Sequence, residues 1–146
     1  MDERLNRWEV LFKRALILID SVRDFGIPVD DWTFGGGTVL MRRHRHRFSK
    51  DIDIFINDPQ FLGYLWHRGF EFTARDIFDL SMVAELEPQA LHEISTILRD
   101  RRALVLERIE RYDSILRESF AELAALEYMR SFDECVDIVT KAFGRA

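Results

Sequence analysis

A chain of 146 residues with 47% hydrophobic content can build one compact core, or a small core with a helical appendage. Its 26 acidic against 21 basic residues give a formal charge of −5, which excludes a protein that coats nucleic acid with its whole surface and confines any such contact to a local patch. The single cysteine, Cys135, excludes an intramolecular disulfide and leaves a cysteine-based zinc site short of ligands, so its expected role is a small buried side chain on a helix.

From Leu5 the apolar residues Leu5, Trp8, Leu11, Phe12, Ala15, Leu16, Ile19 and Val22 recur in steps of three and four, which sets them on one face of a helix. Gly26 and Pro28 stop it. Aromatic and β-branched residues within Asp30–Phe34 predict a short strand, and Gly35-Gly36-Gly37 a tight turn out of it. Thr38–His46 contains no breaker and predicts a helix of about nine residues, whose basic last turn complements the negative end of the helix dipole. Asp51–Ile56 alternates with period two and ends at Asn57-Asp58-Pro59, which predicts a strand closed by a turn.

Beyond Thr73 the signals are helical. Thr73 with Asp76, and Ser131 with Glu134, have the spacing of capping boxes, Pro88 suits a first helical turn, and about four helices are expected. The fold class expected is therefore α+β: a minimal strand–turn–helix–strand core with its N-terminal helix over residues 1–72, and a helical region over 73–146. No repeat, low-complexity tract or Pro/Ser/Gly linker separates the two, so they are read as one compact unit. Mixed charges at the N-terminus and the lack of any run of about 18 apolar residues predict neither signal peptide nor membrane span, hence a cytoplasmic chain.

A triphosphate is held by backbone N–H groups aimed at its oxygens, and three glycines leading into a helix let the chain pass close to such a ligand and offer it the helix N-terminus. Gly36 and Gly37 supply that approach, and Thr38 adds a hydroxyl at the helix start. Taken alone, such a turn is as readily a structural one. Asp51 and Asp53, two apart on a strand, point to one face with about 6.5–7 Å between their Cα atoms, close enough for their oxygens to share a Mg2+ ion. A pair of solvated acids on an edge strand is the alternative.

The combination favours the site, because phosphoryl transfer is mostly positioning and charge neutralisation, and this layout brings helix N–H groups and a hard cation to one triphosphate. Arg47, Ser49 and Lys50 stand nearest the acidic strand and are candidates for phosphate contact, the arginine by a bidentate pair. Arg42, Arg43 and Arg45 fit a solvated basic helix end equally well. His44 and His46, two apart in a helix, face different directions and are assigned no metal role.

Gly35-Gly36-Gly37-Thr38-Val39-Leu40 followed by His46-Arg47-Phe48-Ser49-Lys50-Asp51-Ile52-Asp53-Ile54-Phe55 resembles the AbiEii/AbiGii-type nucleotidyl transferases of the DNA polymerase β-like superfamily. A second stretch, Phe72-Thr73-Ala74-Arg75-Asp76-Ile77-Phe78-Asp79-Leu80, looks like that family's Arg-Asp-x-x-Asp helix. Its plainer reading is a capping carboxylate at Asp76 and an i,i+4 ion pair of Arg75 with Asp79. The resemblance implies Gly36, Thr38 and Ser49 at nucleotide phosphates, Asp51 and Asp53 on Mg2+, and Arg75, Asp76 and Asp79 on a helix closing over the nucleotide or acceptor. It further implies a nucleoside triphosphate substrate, a tRNA or protein acceptor, and an antitoxin partner.

Relatives in that family run on from the Asp-x-Asp strand through further strands, one carrying a third acidic residue, and a lysine-bearing segment. Here only Gln60–Phe72 lies between that strand's closing turn and the Arg-Asp-x-x-Asp helix, so the third carboxylate has no counterpart and Glu71 is a poor substitute. Two main readings follow, beside a third in which the chain is a helical partner-binding protein and the aspartates are incidental. One is an enzyme that transfers a nucleotidyl group and completes its site through another subunit. The other is a catalytically incomplete nucleotidyltransferase fold that binds nucleotide, RNA or a partner, with the helical half as docking surface. Strand edges left open by the short middle predict self-association.

Overall fold

The computed structural model describes residues 7–24, 31–56 and 72–145. Leu5, Gly26, Pro28, the closing turn at 57–59 and nearly all of the short middle segment lie outside that set. The chain divides into two units, Met1–Phe70 and Glu71–Ala146, and the elements are mixed, as an α+β class requires.

In the first unit, α1 (Arg7–Asp24) is followed by β1 (Trp32–Gly35), α2 (Gly36–His44) and β2 (Asp53–Ile56). The two strands form an antiparallel ladder in which Trp32 faces Ile56, Thr33 faces Phe55, Phe34 faces Ile54 and Gly35 faces Asp53. Helix α1 rests on β1 through aromatic rings: Phe12 and Phe34 lie 4.7 Å apart, and Trp8 stacks on Phe34 at 5.9 Å. Such pairs add about 0.5–1.5 kcal/mol each beyond the area they bury. Arg42 of α2 lies over the other side of this cluster, 4.6 Å from the Trp8 ring.

Several boundaries differ from the sequence expectation: β1 takes in Gly35, β2 starts at Asp53 rather than Asp51, and α2 is shifted at both ends. Helix α2 starts at Gly36, two residues before Thr38, and Gly36 takes φ +73, a left-handed value at the bend out of extended Gly35. It ends at His44, because Arg45 takes a left-handed conformation (φ 47) and returns its N–H to the Met41 carbonyl at 2.8 Å. A left-handed arginine carries no sequence signal, since glycine or asparagine is the usual residue there.

The second unit contains α3 (Ala74–Leu86), α4 (Pro88–Glu93), α5 (Ser95–Arg111), α6 (Asp113–Ala121) and α7 (Phe132–Arg145). These are five helices among the described residues against the expected four. The breaks at Ile94 and Tyr112 are single residues without glycine or proline, which hides them from the sequence. Helices α3 and α7 pack face to face. Their buried stripes are Ala74, Ile77, Phe78, Ser81 and Met82 on one side and Phe132, Cys135, Val139 and Phe143 on the other. Both capping boxes form: Asp76 accepts from the Thr73 N–H at 2.7 Å and Glu134 from the Ser131 N–H at 2.7 Å. Pro88 occupies the first turn of α4. No described helix is long and apolar enough to cross a membrane.

Candidate functional site

The three glycines each abut a different kind of side chain. A Cβ added to Gly35 would stand 2.7 Å from the edge of the Phe55 ring; one on Gly36 would overlap the Asp53 carboxylate; one on Gly37 would overlap the Arg47 guanidinium. At Gly36 the positive φ demands glycine as well. Gly35, at the N-cap of α2, makes no side-chain cap bond, and uncapped first-turn amides are the groups that an anion meets at a helix start.

Thr38 is fully buried, and its hydroxyl donates to the Asp51 carbonyl at 2.5 Å and lies 3.0 Å from the Ser49 hydroxyl. It therefore works as a strut that holds the segment entering β2 against the start of α2. One turn further on, the Met41 sulfur accepts the Ser49 N–H at 3.2 Å. That second tie was missed in the sequence, because a thioether is a weak acceptor and its partner is set by tertiary contact.

Arg47 is 5% exposed, and its Nη1 donates to the Phe48 carbonyl at 3.1 Å while its other terminal nitrogen lies at Gly37. A guanidinium is thus fixed against the turn, where it makes the surroundings of the α2 N-terminus more positive. Lys50 is exposed, and His46 beside Arg47 is fully buried. His46 lies beyond the end of α2, which His44 closes.

The acidic pair is arranged by the strand. Asp51 precedes β2 and Asp53 opens it, opposite Gly35. Exposure alternates from Asp51 through Phe55: Asp51, Asp53 and Phe55 are exposed, and Ile52 and Ile54 are half-buried. Both carboxylates therefore share a face with the Phe55 ring. Two carboxylates offer the hard oxygen donors that Mg2+ prefers, and this ion fills its remaining positions with water and substrate phosphates. Among the described residues, no group of three His, Cys, Asp or Glu side chains is placed to hold a metal.

Arg75, Asp76 and Asp79 belong to the second unit, on the first turns of α3. Asp76 serves the capping box, where it also accepts the Thr73 hydroxyl at 2.7 Å. The polar groups of this unit are paired off elsewhere too. Arg130 grips Glu85 with two bonds of 3.1 Å, and the Tyr128 hydroxyl donates to Glu85 at 2.7 Å. Arg130 holds the Glu85 carboxyl below its ordinary range, whereas burial pushes up both the Tyr128 hydroxyl and the Cys135 thiol. Cys135 is fully buried, as its expected structural role requires.

A strand turning on glycines into an uncapped helix, with two carboxylates returning on the paired strand, has the parts of a core that handles phosphates and a hard cation. Residues 23–69 match the family model described as Nucleotidyl transferase AbiEii toxin, Type IV TA system. The match contains the glycine turn, Ser49 and both aspartates, so the resemblance read from the first motif is borne out over this segment; Arg75, Asp76 and Asp79 lie beyond it. In general terms the match supports a nucleotidyltransferase function of the toxin–antitoxin kind. Neither a curated protein nor a solved structure matches the chain.

Proposed function

We propose that this chain transfers a nucleotidyl group from a nucleoside triphosphate to an RNA or protein acceptor, with Asp51 and Asp53 holding Mg2+. The observation that carries the reading is the placement of the Asp53 carboxylate in the space a Gly36 side chain would fill, directly against the N-terminal turn of α2. A carboxylate in that position costs electrostatic energy beside the phosphates unless a cation lies between them. Bound there, Mg2+ would offset phosphate charge and polarise the α-phosphate toward attack.

The residues of the chain do the rest. Amides of Gly36, Gly37 and Thr38 receive phosphate oxygens, Arg47 and Lys50 supply positive charge, and Thr38 with Ser49 fixes the distance between turn and acidic strand. The acceptor hydroxyl oxygen bonds to the α-phosphorus, the bond to the β-phosphate oxygen breaks, pyrophosphate leaves, and the hydroxyl proton passes to solvent. An antitoxin partner belongs to the same reading, and so does self-association, which the outward apolar side chains Val10, Leu11, Ile17 and Leu18 of α1 support.

The test is transfer of label from α-labelled triphosphates to total RNA and to protein in Mg2+. Wild type labels an acceptor, and Asp53→Ala loses the activity by at least about a hundredfold. Nucleotide binding without any transfer by wild type overturns the enzyme and leaves the binding module.

A further inference from the structure

Building on the nucleotidyltransferase reading, we infer that Phe55 is the stacking platform for the base of the nucleotide whose phosphates rest on the Gly36–Thr38 turn. Phe55 is 57% exposed, although a phenyl ring gains from burial. Among the described residues no aromatic ring pairs with it, whereas the other aromatic residues of the strands, Trp32 and Phe34, are engaged by α1.

The ring is held in place from one side. Its Cε2 and Cδ2 atoms stand 2.7 and 3.2 Å from where a Gly35 Cβ would lie. Any side chain at position 35 would displace the ring, so this glycine makes room for the edge of Phe55 beside β1. Phe55 also shares its strand face with Asp53, two residues earlier, which separates their Cα atoms by about 6.5–7 Å.

The order of contacts along the glycines gives the ligand a direction. Gly35 meets an aromatic ring, Gly36 a carboxylate and Gly37 a guanidinium. A nucleoside triphosphate presents the same succession: a flat base, an inner phosphate that shares the cation, and outer phosphates of high negative charge. The base end falls at Phe55 and the triphosphate tail runs toward Arg47. Stacking engages the face of a base rather than its edge, so the platform accepts any nucleobase and sets affinity more than base identity.

Titration calorimetry of the full chain in Mg2+ with ATP and with inorganic triphosphate tests this. Wild type binds both. Phe55→Ala and Phe55→Leu weaken ATP by about 5- to 100-fold, the range measured for removing one stacking ring, and leave triphosphate within about twofold. Phe55→Trp keeps ATP affinity. Retained triphosphate binding shows that the variants fold. An ATP affinity unchanged in Phe55→Ala overturns the platform and leaves the triphosphate site standing. An equal loss of both ligands in Phe55→Ala and Phe55→Leu also overturns it. Failure of wild type to bind either ligand removes the nucleotidyltransferase reading and the platform with it.

Discussion

The two units place their polar groups differently. In the helical unit, charges are spent on structure: Arg130 and Tyr128 converge on Glu85, Arg117 joins Asp113 at 2.8 Å to Asp133 at 2.6 Å, and two carboxylates complete capping boxes. In the strand–turn–helix unit, Asp51 and Asp53 are exposed where the chain enters and opens β2, while Arg47 and His46 are buried. The only positive φ angles among the described residues, at Gly36 and Arg45, bracket α2. Both left-handed residues among those described thus fall at the ends of α2, beside the proposed site.

Substitutions sharpen that contrast. The largest effect on stability is expected from Phe78→Ala, because Phe78 is 1% exposed and meets Phe120 and Tyr128 edge-on. A loss of about 3–5 kcal/mol in urea unfolding is expected, and a loss under about 1 kcal/mol would show that the helical unit is not organised around this ring. Gly36→Ala forces a left-handed alanine, worth about 1–2 kcal/mol, and drives a Cβ into the Asp53 carboxylate. Triphosphate binding should fall at least about tenfold while the helical circular dichroism signal holds; binding at the wild-type level would break the link between turn and carboxylate.

A smaller effect is expected at Thr73→Ala, which removes the hydroxyl that caps α3 and should cost about 1 kcal/mol in the same unfolding measurement. The smallest concerns pH. Because Arg130 depresses the folded-state value of Glu85 below its ordinary 4.5, its contribution is complete above about pH 4.5 and is lost as pH falls through the lower folded value. Denaturation midpoints should thus decline on acidification below about pH 4.5, and Glu85→Gln should flatten that decline; an equal slope in the variant would remove Glu85 from the acid response.

Much of this was legible in the sequence. Apolar spacing located α1, the period-two run located β2, and the capping boxes and Pro88 placed helix starts to the residue, because each signal is local and comes from one residue type with one geometric use. In the site, the glycine turn and the acidic pair could be read for the same reason. What stayed hidden depends on tertiary contact: the Met41 sulfur under Ser49, Arg47 folded back on Gly37, and the separate neighbour of each glycine. The extra helix in the second unit was hidden because Ile94 and Tyr112 break the helices without a breaker residue.

The central claim is that residues 34–53 form a triphosphate-and-cation site and the helical unit does not. Amide NMR spectra recorded while Mg2+ and ATP are added test it residue by residue. Shifts concentrated at Gly36, Gly37, Thr38, Ser49, Asp51 and Asp53, and abolished in Asp53→Asn, are the expected result. Shifts confined to residues of the helical unit, or spectra unchanged at the turn under saturating nucleotide, would contradict it.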